Sequence, residues 1–266
     1  MSQIDDQLSY AIIGKAMEAH RELGPGLDEV FYHELLAAKL VAAGIPHEKK
    51  PRGRLVHRGV VADEFEADFT FGDHLAAELK VLWGDFVPEH VLQVICYLKF
   101  WKLPAGLLLD FGKESLTQKR IPLLDSTERV ESLGLAREVP DFADRAVITT
   151  LVEAIQSVLD AHSLGYRDTT YQGLLFAEMV FRGVPCLRDP VAPIRGGQGL
   201  LGESKLKCLV LPGICALLVT ALRDSRQAAD RAVLQTYLRH LELPWGLHIN
   251  FGKRQMNFQF ATKPKQ

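Results

Sequence analysis

The sequence is short of several things, and each shortage removes a class of protein. It has four cysteines, Cys96, Cys186, Cys208 and Cys215. None forms a CxxC pair and no Cys/His cluster has zinc-finger spacing, which excludes a zinc module; buried free thiols in a reducing cytosol are expected instead. It has no long apolar run. The longest uncharged stretch, 208–222, is interrupted by Pro212-Gly213 and falls short of the ~20 residues that cross a bilayer, so two buried strands around a turn are expected there. The start, MSQIDDQLSYAI, has neither a basic n-region nor an apolar core, so no secretory leader is expected. Net charge is also lacking: 31 Lys+Arg against 33 Asp+Glu leave −2, which taken whole excludes a histone-like polyanion binder. Core-forming material is not lacking. With 47% hydrophobic and 24% charged residues, the chain is neither disordered nor fibrous. A cytoplasmic protein with no membrane partner is expected.

The near-neutral total hides a split. Residues 1–135 hold 15 Lys+Arg and 21 Asp+Glu, or −6, and the remainder carries +4. Such asymmetry is a reason to treat the halves as separate units. A length of 266 residues allows one large domain or two small ones.

Repetition resolves that choice. Ala19-His20 recurs as Ala161-His162, Gly44-Ile45-Pro46 as Gly183-Val184-Pro185, and Tyr97-Leu98-Lys99 as Tyr237-Leu238-Arg239. Leu103-Pro104-Ala105-Gly106-Leu107 recurs as Leu243-Pro244-Trp245-Gly246-Leu247, and Phe111-Gly112-Lys113 as Phe251-Gly252-Lys253. The offset stays between 139 and 142. A tandem duplication is expected, with a boundary near 125–140 and copies over 1–130 and 140–266.

Each copy predicts the order ααβββαββ. In the first, apolar positions at helical spacing mark a helix over 8–23, which Gly24-Pro25-Gly26 breaks. A second helix over 28–43 has Asp28 as a plausible N-cap and Gly44 at C′. Strands are expected over 46–57, 60–71 and 75–82, a helix over 88–101, and strands over 106–111 and 115–121. The second copy predicts helices over 144–162, 169–182 and 227–241, and strands over 184–195, 204–211, 214–222, 245–251 and 255–261.

The chemistry-bearing stretch is Asp68 followed by Glu78-Leu79-Lys80. Glu78 and Lys80 are two apart on one strand and project from the same face. A hairpin across 71–75 brings Asp68 opposite the Glu78 region. Two adjacent carboxylates repel, and a divalent cation removes that penalty. Hard oxygen ligands favour Mg²⁺ or Mn²⁺ over zinc, and a lysine beside the metal can orient water and stabilise an oxyanion. The set suits phosphodiester hydrolysis. A salt bridge among strand residues is the alternative for an isolated match of this kind, and glycoside hydrolysis is disfavoured by the lysine.

The context resembles the GxxExxY proteins of the PD-(D/E)xK nuclease-like superfamily. The signature stands as Gly26-Leu27-Asp28-Glu29-Val30-Phe31-Tyr32, and the likeness continues through Ala67-Asp68, Glu78-Leu79-Lys80, Gln93 and Tyr97, and Phe111-Gly112. It covers 12–121. The resemblance implies two fused restriction-endonuclease-like α/β units with an αβββαβ core, forming an intramolecular pseudo-dimer that could associate further. It implies a Mg²⁺- or Mn²⁺-dependent nuclease in which Asp68, Glu78 and the Leu79 carbonyl hold the metal. Lys80 would position the attacking water, Glu29 would be a further ligand or organiser, and Gln93 and Tyr97 would contact the site or the phosphate. Tyr32 is expected to be a core aromatic, and His20 a hydrogen-bonded helix-end histidine.

The second copy lacks the site. An offset of 139 sets Lys207, Leu217 and Val219 at the positions of Asp68, Glu78 and Lys80, so an inactive copy kept for architecture or binding is expected. Its cations Arg167, Arg182, Arg188, Arg195, Lys205 and Lys207 suit phosphate neutralisation. So does a basic segment in the first copy: Lys49, Lys50, Arg52, Arg54, His57 and Arg58. Charge protection of a strand edge is the alternative there, and without interleaved aromatics base stacking is not indicated. A non-catalytic module that binds nucleic acid or protein is the rival to a nuclease.

Overall fold

The computed structural model describes residues 3–123, 139–197, 199–222, 227–252 and 255–263, with side chains from residue 6 and none at 227. The expected boundary near 125–140 lies almost wholly outside the described residues. The chain divides into two compact units. One comprises Met1–Arg54 and Glu64–Asp125, the other Leu55–Asp63 and Ser126–Gln266. The short segment 55–63 therefore belongs with the C-terminal half, which the sequence does not announce.

In the first unit, α1 (Gln3–Leu23) and α2 (Glu29–Ala42) are followed by β1 (Glu48–Lys49), β2 (Arg52–His57), β3 (Val60–Glu66), β4 (Phe69–Phe71) and β5 (Leu75–Lys80). Then come α3 (Pro88–Trp101), β6 (Ala105–Asp110) and β7 (Thr117–Pro122). Asp28 occupies the N-cap position of α2, but its side chain makes no capping hydrogen bond. Gly44 has φ 66, the left-handed backbone expected at C′.

The two long strands expected over 46–57 and 60–71 are each broken. Lys50 is in the left-handed region with φ 52, and Pro51 has no N–H for a ladder. Opposite them the chain leaves the ladder at Ala67-Asp68. The break redirects the pairing. β1 and β4 join a five-stranded sheet of order β1-β4-β5-β6-β7, while β2 and β3 form a separate ribbon turned at Arg58-Gly59, both with positive φ. Two backbone bonds bridge the break: Lys50 N to Asp68 O at 2.9 Å and Ala67 N to Pro51 O at 3.2 Å.

β5 runs parallel to β6 and the other pairs are antiparallel. The parallel strands are buried throughout apart from half-buried Lys80, as a sheet covered on both faces requires. Leu75, Ala77 and Leu79 pack with Leu107, Leu109 and Phe111 against Ile12, Ala16, Tyr32 and Leu36 of α1 and α2. The alternate positions face α3. At Gly106 a Cβ would stand 2.3 Å from Val94 Cγ1, so glycine is what lets α3 approach. Glu78 and Lys80 share that alternate set, Glu78 buried and Lys80 half-buried on the α3 side.

In the second unit, α4 (Arg145–His162), α5 (Asp168–Phe181), β8 (Leu187–Arg188), β9 (Val191–Gly196) and β10 (Gly199–Lys205) come first. β11 (Leu209–Leu211), β12 (Cys215–Ala221), α6 (Gln227–His240), β13 (Trp245–Phe251) and β14 (Met256–Thr262) follow. The five-stranded sheet has the order β8-β11-β12-β13-β14 and β9 pairs with β10. β11 and β12 are the two buried strands expected within 208–222. Segment 55–63 packs on α5, where a Cβ at Gly173 would stand 1.9 Å from the Ala62 carbonyl oxygen. All four cysteines are free, and Cys96, Cys208 and Cys215 are buried. Among the described residues, no helix is long and apolar enough to cross a membrane.

Candidate active site

Asp68, Glu78 and Lys80 converge as their spacing predicts. The β4–β5 register sets Phe69 opposite Ala77, which brings Asp68 beside the next residues of β5. Asp68 Oδ2 accepts the Leu79 amide at 2.7 Å, and Lys80 Nζ donates to Glu78 Oε1 at 2.6 Å. From α3, Gln93 Nε2 donates to the same Glu78 oxygen at 2.6 Å and to the Tyr97 hydroxyl at 2.7 Å. The Tyr97 hydroxyl in turn donates to the Glu66 carbonyl at 2.7 Å. Gln93 and Tyr97 thus brace the carboxylate from behind.

Glu78 is 3% exposed. Its Oε1 is saturated, while Oε2 is buried with no hydrogen-bond partner. Burial first, and then the nearby Asp68 charge, push its carboxyl up to about 7, although Lys80 pulls the other way. A buried carboxylate oxygen with nothing to bond is costly. A divalent cation would satisfy it and offset the repulsion of the two acids, so the donor set fits such an ion.

α2 contributes a residue that the sequence reading passes over. His33 follows Glu29 by one helical turn. Its Nε2 lies 3.2 Å from Asp68 Oδ1 and 3.7 Å from Glu29 Oε1, an ion-pair contact without hydrogen-bond alignment, since neither ring nitrogen has a hydrogen-bond partner. Burial alone would lower the imidazole, but the Asp68 and Glu29 carboxylates outweigh it and push it up to about 9. The ring stacks on Phe69 at 5.5 Å. Glu29, His33 and Asp68 each offer a ligand atom within 4.8 Å of the others. The signal was the i, i+4 pair of Glu29 with His33, the residue that follows the signature. Leu79 fills the core with its side chain.

Tyr32 is a core aromatic, as expected. Its hydroxyl donates to Gly24 O at 2.6 Å and accepts from Leu27 N at 3.3 Å, closing the Gly24-Pro25-Gly26 turn, and its ring lies 4.7 Å from Phe111. His20 is the hydrogen-bonded helix-end histidine, 2.8 Å from Lys113 O. Asp110, fully buried, accepts Leu82 N at 2.9 Å and Gly112 N at 3.0 Å and so pins the exit of β5 beside Lys80.

The basic segment is not the bare positive stripe its sequence suggests. Lys49 pairs with Glu34, Arg52 with Glu66 and Arg54 with Glu64, because the opposite strand and α2 supply acids that a linear scan of 49–62 does not meet. Lys50 is exposed. His57 and Arg58 lie in the second unit, both bonded to buried Glu178. In that unit Arg182 also holds Glu178, and Arg167 holds Asp63. Arg188 donates to the carbonyls of Ala62 and Thr169.

The second unit's strand register corrects the sequence correspondence. Leu209 pairs with Leu217 as Phe69 pairs with Ala77, and Cys215 with Trp245 as Leu75 with Ala105. The offset is therefore 140 here, not 139. Cys208 stands at the Asp68 position, where its carbonyl accepts Asp189 N as Asp68 O accepts Lys50 N. Leu218 stands at Glu78 and Thr220 at Lys80. Lys207 is exposed and is the extra residue, not the replacement for an aspartate. Burial pushes the Cys208 thiol up to about 12, so it supplies no anion at neutral pH.

A comparison with curated proteins finds no match. Residues 6–121, which contain every group of the site just described, match the sequence model of the PD-(D/E)XK nuclease superfamily.

Proposed function

We propose that the protein is a divalent-metal-dependent nuclease that hydrolyses phosphodiester bonds of nucleic acid at one site, in the first unit. The observation that carries this reading is the arrangement of Glu78. One oxygen is fixed by Lys80 and Gln93, and the other is buried and unbonded beside Asp68.

Asp68 and Glu78 would hold the cation, Mg²⁺ or Mn²⁺, with the Leu79 carbonyl and Glu29 as further ligands. When bound, such an ion polarises a phosphoryl oxygen and lowers the pKa of a coordinated water. The chain's own groups supply the rest. The Leu79 amide fixes Asp68 Oδ2 and leaves Oδ1 to face the cation. Lys80 places an ammonium next to the ligand set, where it orients the attacking water and stabilises charge developing on the phosphate. Gln93 and Tyr97 hold Glu78 in one rotamer, so little reorganisation is left for the reaction.

We further propose that the second unit is a degenerate tandem copy of the GxxExxY type, kept for architecture or binding and standing in for a dimer partner. Support comes from its strand order and from a repeated detail. Tyr171 donates to Ser163 O at 2.7 Å, accepts Tyr166 N at 3.3 Å and stacks on Phe251 at 3.9 Å, much as Tyr32 bonds Gly24 and Leu27 and packs, tilted, on Phe111. Exposed Lys207 remains a phosphate contact in this reading, and the free cysteines support a cytoplasmic location.

The test is incubation of the full chain with single- and double-stranded DNA and RNA, with Mg²⁺, Mn²⁺ or EDTA. Cleavage that requires the metal and is lost in Lys80→Ala supports the reading. Salt-dependent binding with no turnover under either ion would favour a non-catalytic module.

A further inference from the structure

We propose that His33 is a nitrogen ligand of the cation at this site, and that the site is in consequence built for a first-row transition ion such as Mn²⁺ rather than for Mg²⁺. The inference rests on the metal-dependent reading above and deepens it.

Four observations carry it. His33 is 2% exposed, yet neither ring nitrogen has a hydrogen-bond partner. Buried imidazole nitrogens are almost always hydrogen-bonded; here Nδ1 has no such partner and Nε2 has only the unaligned contacts to Asp68 and Glu29, where a bound cation would take the place of the ring proton. The ring is not placed by chance, since Phe69 stacks on it at 5.5 Å and 22° and aims Nε2 at the carboxylates. The distances from Nε2 to Asp68 Oδ1 and Glu29 Oε1, 3.2 and 3.7 Å, are those of neighbouring ligands around one ion with bonds of ~2.2 Å. Finally, Asp68 has its other oxygen committed to the Leu79 amide, so Oδ1 is the atom left to share with His33.

The ligand chemistry decides the metal. Mg²⁺ takes oxygen ligands and gives up water reluctantly. An imidazole in the first coordination sphere favours the transition series, where nitrogen donors bind better at equal charge. An imidazole added to the carboxylates Asp68, Glu78 and Glu29 therefore shifts selectivity away from Mg²⁺ without losing the hard-oxygen character that Mn²⁺ accepts.

The full chain should be loaded with Mn²⁺ and examined by electron spin-echo envelope modulation, alongside calorimetric titrations with Mn²⁺ and Mg²⁺. A ¹⁴N modulation from a directly bound imidazole is expected. It should vanish in His33→Gln, with Mn²⁺ affinity falling by roughly ten-fold or more and Mg²⁺ affinity little changed. Bound Mn²⁺ without ¹⁴N modulation, or a modulation that persists in a folded His33→Gln, overturns the ligand assignment and leaves the nuclease reading intact. Failure of the full chain to bind any divalent ion overturns both. If His33→Gln does not fold, the wild type with ¹⁵N-labelled histidine replaces it: a ¹⁴N modulation that gives way to ¹⁵N coupling supports the assignment, and an unchanged one refutes it.

Discussion

Gln93 Nε2 sits 2.6 Å from Glu78 Oε1 and 2.7 Å from the Tyr97 hydroxyl, and Tyr97 is anchored on the Glu66 carbonyl at 2.7 Å. This relay ties the carboxylate to the backbone of β3. Neither residue is expected to touch the reacting atoms; both set where Glu78 points. Gln93→Ala is predicted to lower single-turnover cleavage by about 10–100-fold. Tyr97→Phe should cost less, because Gln93 still reaches Glu78. The same substitutions should weaken metal binding in parallel, which calorimetry would show.

Glu78 predicts a stability effect of unusual sign. Its folded carboxyl, at about 7, lies above the ordinary 4.5 because of burial and Asp68. Its contribution is therefore fully present below pH 4.5 and is lost as pH rises through 7. Without metal, Glu78→Gln should stabilise the protein at pH 8 by roughly 1–3 kcal/mol, and the gain should disappear at pH 4. Urea denaturation at the two pH values checks this. With saturating Mn²⁺ the order should reverse, since the wild type gains a ligand that the variant cannot hold well.

Glu178 behaves in the opposite way. It is fully buried and receives His57 at 2.8 Å, Arg58 at 3.0 Å and Arg182 at 3.0 Å. Burial would raise its carboxyl, but these donors outweigh it and hold it below the usual range. The stabilisation is present above pH 4.5 and is lost as pH falls through the folded value. Glu178→Ala should cost about 1–3 kcal/mol at pH 7, because it leaves His57, Arg58 and Arg182 without their shared acceptor. The difference from wild type should shrink under acid in denaturant titrations. Gly173→Ala should loosen the same region by ~1–3 kcal/mol, through the clash with Ala62.

Much of the site is legible in the sequence, and the reasons are local. Asp68, Glu78 and Lys80 follow from a hairpin and a period of two, which a linear scan captures. Tyr32 follows from its place in an apolar helix face. His33 does not, because it lies next to that face and looks like one more helix residue; only the fold shows it dry and pointed at Asp68. The basic segment misleads for a related reason. Its compensating acids, Glu34, Glu64 and Glu66, lie outside the run and meet it only through strand pairing and α2. The strand breaks at Pro51 and Ala67-Asp68 were readable at the proline but not opposite it. The strand register of the second unit was beyond reach, since no matched residues lie between Pro185 and Tyr237 to locate the extra Lys207. The assignment of 55–63 to the second unit depends on Glu178 and Gly173, more than a hundred residues away.

The most direct test of a single site in the first unit is single-turnover cleavage by three proteins under one metal: wild type, Asp68→Asn, and Thr220→Ala at the position matching Lys80. The account predicts that Asp68→Asn loses at least roughly 10²–10³-fold, while Thr220→Ala cuts like the wild type. Wild-type rates in Asp68→Asn, or a comparable loss in a folded Thr220→Ala, would contradict it.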